Sequence, residues 1–183
     1  MKITENNFAF IDSNNLHQGL SKDVFKNGQK LYSGWKLDYK RFRIYLSDKY
    51  QVKKAFLFIG FMPGNQTMYT RLQEYGYICV FKPTLELEDG KIKGNVDAEL
   101  VLHSMIEYEH YDKAVVVSGD GDFYCLAEYF LNNDKLKKVF IPNRHNHSCL
   151  LDRLSSPTNN ILAFIDVLRG KLEYKPKKSS LRD

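Results

Sequence analysis

Val115-Val116-Val117 runs straight into Ser118-Gly119-Asp120-Gly121-Asp122-Phe123, and this stretch constrains the possible fold more than any other. Three consecutive β-branched residues are stiff at χ1 and too few for a helix. They read as a short strand buried on both faces. Gly119 and Gly121 allow the backbone to turn sharply just after it. Two carboxylates therefore sit beyond the carboxyl end of a central strand, where open α/β sheets place their ligands.

The same strand-then-helix unit recurs along the chain. Phe8-Ala9-Phe10-Ile11-Asp12 predicts a first buried strand ending on an aspartate, and Ser13-Asn14-Asn15-Leu16 opens a short helix. Residues 21–36 lack periodicity and read as a loop. Tyr39, Phe42, Tyr45 and Leu46 predict a helix over 38–50. A second strand is expected over 54–60, a helix over 66–75 and a third strand over 77–81. Asp89-Gly90 signals a turn in a small hairpin. Ala98, Val101, Leu102, Met105 and Ile106 recur at helical spacing after Asn95-Val96-Asp97. Strands at 113–118 and 138–141 flank a helix at 122–132, and helices over 148–154 and 159–169 follow. This alternation predicts an α/β fold, a three-layer α/β/α sandwich around a mostly parallel sheet of about five strands. One domain over residues 1–170 is expected, with a basic, flexible tail over 171–183.

The 183 residues carry a formal charge of +5. If several aspartates gather in one pocket, the remaining surface is more basic than that figure, which suits a polyanionic substrate. The chain holds 12 Tyr and 12 Phe, so some rings reach the surface and are available for base stacking, although a core rich in such rings explains most of them. Cys79, Cys125 and Cys149 form no C-x-x-C pair, which argues against a zinc site and for a reducing compartment. With no signal-peptide pattern at the N-terminus and no membrane-length apolar run, a cytoplasmic protein is expected. A homodimer is left open.

Asp12, Asp97 and the pair Asp120 and Asp122 each stand at a junction leading into a helix. Taken singly, each has a competing role, because aspartate at a helix start accepts backbone N–H bonds and complements the helix dipole. Together they suggest more. A parallel sheet brings the ends of the first and fourth strands to one edge, and Asp97 can reach that edge from its helix. Clustered carboxylates repel one another unless cations neutralise them. Oxygen ligands without Cys or His select Mg²⁺ or Mn²⁺, ions that bind phosphate oxygens and activate water.

The motifs FAFIDSNNL, KGNVDAEL and VVVSGDGDF, in this order, resemble the NYN domain family of PIN-like nucleases, which includes LabA-like proteins. The resemblance covers roughly residues 8–168. It implies a PIN-like parallel sandwich and divalent-metal-dependent cleavage of RNA, probed most simply with single-stranded RNA. Carried over by position, Asp12, Asp97, Asp120 and Asp122 match the family's acidic cluster. Asn15, Lys93 and Ser118 match its accompanying polar residues. Ser13 stands where many relatives have glycine, which removes no ligand.

Asp12, Asp97 and Asp120 are the expected metal ligands, and Asp122 either ligates, orients a water or caps its helix. Asn15 and Ser118 are expected to orient the carboxylates, or to bond locally at their turns. Lys93, Arg144, His145, His147 and Phe61 are candidate substrate contacts, the first four through phosphate and Phe61 by stacking a base. Glu99 lies about 200° round the helix from Asp97 and points elsewhere. A non-catalytic RNA-binding module is the rival reading. A Toprim-type site needs a glutamate where Asp12 stands, a haloacid-dehalogenase-type site needs a second aspartate two residues later, and no G-x-G-x-x-G marks a dinucleotide fold.

Overall fold

The computed structural model describes residues 4–83, 85–86, 92–93 and 96–176. Asn7–Asp12 forms β1, and its uninterrupted apolar stretch is buried from end to end. Then come α1 (Ser13–Ser21), a hairpin of β2 (Val24–Lys26) and β3 (Gln29–Tyr32), and α2 (Tyr39–Tyr50). β4 (Val52–Phe61), α3 (Gln66–Glu74) and β5 (Tyr77–Pro83) continue the alternation, and β6 (Leu85–Glu86) pairs antiparallel with β7 (Ile92–Lys93). The second half holds α4 (Asp97–Ile106), β8 (Ala114–Val117), α5 (Tyr124–Asn132), β9 (Leu136–Ile141), β10 (Leu162–Phe164) and α6 (Arg169–Leu172).

Among the described residues, six strands form one sheet in the order β10-β9-β8-β1-β4-β5, and every neighbouring pair is parallel. Alternate residues of each strand face opposite sides. Ala9, Ile11, Leu57, Val115 and Val117 pack with Leu16, Leu20, Phe42, Leu46 and Leu72 of α1, α2 and α3. Phe8, Phe10, Phe56, Phe58 and Val116 pack with Leu100, Phe123, Leu126 and Phe130 around α4 and α5. Phe10 and Phe56 stack across this second core with centroids 5.5 Å apart. The chain runs outward from β1 to β4 and β5 on one side and to β8, β9 and β10 on the other. The reversal lies between β1 and β8, and such a switch point opens a crevice at the carboxyl ends of the strands.

Three local readings are corrected. Residues 21–36 are not all loop: Asn27 and Gly28 both adopt positive φ (51° and 76°), the geometry of a tight hairpin turn, and join β2 to β3. The helix expected over 159–169 is replaced by β10, two short helical turns beginning at Asp166 following it. β10 wins because it adds a sixth strand to the edge left by β9. The segment over 148–154 is a short 3₁₀ turn at Leu151–Leu154. Asp89-Gly90 lies outside the described residues. Of the expected tail, Lys171–Tyr174 is tied into the fold: Leu172 is buried, and the Tyr174 N–H donates to the Lys36 carbonyl at 2.8 Å.

Candidate active site

Ile11 pairs with Val117 in the sheet, so the next residues, Asp12 and Ser118, emerge side by side at its carboxyl edge. Asp12 Oδ1 accepts the N–H groups of Asn14 (3.1 Å) and Asn15 (3.0 Å), capping α1. Its Oδ2 accepts the Ser118 hydroxyl at 3.3 Å, and Ser118 Oγ in turn accepts the Asp120 N–H at 3.2 Å. Asp12 is 5% exposed. Burial raises its carboxyl above the ordinary aspartate value, and the nearby Asp97 charge adds to the rise against the hydrogen bonds that oppose it.

One carboxylate oxygen from each of Asp97, Asp120 and Asp122 lies within 4.8 Å of the other two. Three different local structures bring them together. Asp97 begins α4, whose cap position is Val96 without a side-chain cap. Asp120 Oδ1 accepts the Asp122 N–H at 3.1 Å, capping the 3₁₀ turn Gly121–Phe123. The capping role weighed for Asp122 thus belongs to Asp120, which leaves the Asp122 carboxylate exposed at the cluster. Asp12 is not one of the three. It stands behind them, joined through Ser118 and close enough to Asp97 for their charges to interact.

This donor set fits a hard divalent cation. Mg²⁺ binds oxygen ligands at about 2.1 Å, so Asp97, Asp120 and Asp122 are the residues that would hold such an ion, directly or through water. Mutual repulsion among the carboxylates favours such a cation.

The remaining candidates are placed differently. Asn15 Oδ1 accepts the Gly119 N–H at 2.8 Å, fixing the loop that carries Asp120. Arg144 is committed to structure, its Nε donating at 2.7 Å to Asp166, a carboxylate that is nearly fully buried. His147 Nε2 lies 3.0 Å from Asp152 Oδ1, and its ring contacts Phe164. His145 is exposed in the same loop. Phe61 ends β4, 41% exposed, packed against Tyr69 and Phe81. The Lys93 side chain lies outside the described residues. Glu99 points away from the cluster to a 2.9 Å ion pair with Lys82. Sequence reasoning missed a groove of about 990 Å³ that opens beside Ser13, Asn14 and Val96, the neighbours of Asp12 and Asp97. Its only sequence signal was the lone tryptophan, Trp35, in an otherwise featureless loop.

A parallel α/β sandwich with carboxylates gathered at its switch point fits the class of PIN-like nuclease domains. The NYN domain profile matches residues 9–156, and the chain belongs to the NYN domain family. No curated protein matches it significantly. A solved structure of a protein of unknown function, VPA0982 from Vibrio parahaemolyticus RIMD 2210633, shares the fold with a TM-score of 0.65. The two are 20% identical, and the alignment covers 90% of this chain and 96% of that one. No helix among the described residues is long and apolar enough to cross a membrane.

Proposed function

We propose that this chain is a divalent-metal-dependent ribonuclease that hydrolyses RNA phosphodiester bonds. The observation that carries the reading is the approach of Asp97, Asp120 and Asp122 to within 4.8 Å of one another at the switch point of a nuclease-family sheet. When bound, Mg²⁺ or Mn²⁺ supplies an activated water and stabilises charge on the leaving oxygen.

The protein's part is to hold charge in place. Asp97 and Asp120 are rooted in different elements, so a divalent ion would be held jointly by α4 and the loop after β8. Asp12 and Ser118 fix the backbone of that loop, and Asn15 holds Gly119. Exposed Asp122 faces solvent, where substrate arrives. A net charge of +5 with three carboxylates gathered here makes the rest of the surface more basic than that figure, which favours the approach of a polyanion. At this edge His145 is exposed and Phe61 packs against Tyr69 and Phe81, whereas Arg144 and His147 are paired with Asp166 and Asp152.

The test is incubation of the full chain with end-labelled single-stranded RNA. Cleavage in Mn²⁺ or Mg²⁺ that stops on adding EDTA is the expected result. RNA bound but left intact in both metals would favour the non-catalytic reading instead.

A further inference from the structure

The outward face of α4 is apolar where that of α2 is charged. Ala98, Leu102, Met105 and Ile106 stand at i, i+4, i+7 and i+8, the spacing of one helix face, and all four are exposed. Leu102 is 58% exposed and Ile106 59%, while Leu100 on the opposite side is fully buried in the core with Phe10 and Phe58. α2 instead turns Lys40, Arg41, Asp48 and Lys49 to solvent. A single exposed leucine needs no explanation. A helix apolar on both sides is suited to being covered on both.

The apolar surface extends past the helix on both flanks. Ile78 of β5 pairs with Phe56 in the sheet, so it faces the α4 side as Phe56 does, and it is 43% exposed. Among the described residues β5 is an edge strand, so it carries this face to the border of the sandwich. On the other flank Tyr108, just beyond α4, meets Tyr129 of α5 with ring centroids 6.0 Å apart, and Tyr129 is also exposed. The distance from β5 to β9 is four strand spacings, about 19 Å, and α4 is about 15 Å long. The patch therefore covers roughly 300 Å². Its rim is charged in pairs: Lys82 holds Glu99 at 2.9 Å and Lys54 holds Glu107 at 3.3 Å.

We infer that this face is the contact surface for a second copy of the chain, with the two α4 helices crossing at a two-fold axis. The inference does not depend on the ribonuclease reading. A standard interface takes about 800 Å² from each partner, as an apolar centre within a polar rim. The patch supplies the centre, and the charged pairs around it begin the rim. A two-fold contact sets one surface against itself, so that surface must be self-complementary. Apolar side chains meet this condition, and a rim carrying both signs lets the cations of one copy approach the anions of the other. The same rim disfavours a polyanion, because Lys54 and Lys82 are already neutralised by Glu107 and Glu99.

Sedimentation equilibrium of the full chain over a range of concentrations tests this. Wild type is expected to reach a mass near twice 21.4 kDa and to dissociate on dilution. Leu102→Asp and Ile106→Glu are each expected to weaken association about 30-fold or more, the effect of losing a buried anchor. Their circular-dichroism spectra are expected to match wild type, because both side chains are exposed in the single chain. Each variant is read independently, so a loss of fold in one leaves the other to decide. Ile44→Glu is the control: Ile44 is 50% exposed on α2, and its replacement is expected to leave association unchanged. Wild type that stays monomeric at the highest concentration reached overturns the inference and leaves the face to another partner or to none. A dimer that neither Leu102→Asp nor Ile106→Glu weakens also overturns it, because the contact then lies elsewhere.

Discussion

The Asn15 carboxamide oxygen accepts the Gly119 N–H at 2.8 Å, tying the first turn of α1 to the loop that carries Asp120. Asn15→Ala leaves that N–H without its partner and frees the loop. The expected cost is about 1–3 kcal/mol in denaturant unfolding, together with a loss of roughly 10–100-fold in Mn²⁺-dependent cleavage. Asn14→Ala is the control, because the exposed Asn14 side chain accepts a hydrogen bond from Gln18 on its own helix. Its stability is expected to change by less than about 0.5 kcal/mol.

Asp12 gives a pH dependence whose sign follows from its burial. Its folded carboxyl titrates above the ordinary value of 3.8, so the native state binds more protons than the unfolded state between the two. The stability linked to this group is present below 3.8 and is lost as pH rises through the folded value. Asp12→Asn removes that loss while its amide oxygen still caps α1. In EDTA, the melting temperature of the variant relative to wild type is expected to rise with pH from 3.8 to neutrality. A wild type that gains on the variant over that range would contradict the assignment.

Arg144 is expected to act through Asp166. Removing the guanidinium leaves a nearly buried carboxylate without its main partner, but Arg144 is itself about half exposed, which discounts the ion pair. Arg144→Ala is expected to cost about 1–2 kcal/mol, and adding Asp166→Asn should recover part of it. A double-mutant cycle on urea unfolding measures this coupling.

Gly121 is needed for close packing. A Cβ there would clash with the Ser148 hydroxyl and come within 3.0 Å of Ser148 Cβ. Gly121→Ala is expected to destabilise by about 1–3 kcal/mol through overpacking. Ser148→Gly is expected to rescue part of that loss in the double variant, as read by calorimetry.

The sheet was legible where one local signal dominated. Val115–Val117 and Phe8–Ile11 are apolar without interruption because both strands are buried on both faces. Asp12 and Asp120 could be assigned either to caps or to the site because the two positions coincide, and the structure shows both acting as caps. β10 misled because Ile161, Leu162, Ile165 and Leu168 fall at helical spacing, while its pairing with β9 is a long-range effect. The β2–β3 hairpin carried an Asn-Gly turn signal, but its flanking residues are mostly exposed and lack apolar alternation.

The central claim is that Asp97, Asp120 and Asp122 together serve metal-dependent RNA cleavage. It is tested most directly by the single-turnover cleavage rate of single-stranded RNA across a Mn²⁺ titration, for wild type and the three Asp→Asn variants. Asp97→Asn and Asp120→Asn are expected to lose at least about 100-fold at every Mn²⁺ concentration, about 2.7 kcal/mol of barrier. Asp122→Asn is expected to need more Mn²⁺ to reach its half-maximal rate. Cleavage at the wild-type rate by properly folded Asp97→Asn and Asp120→Asn would contradict the claim.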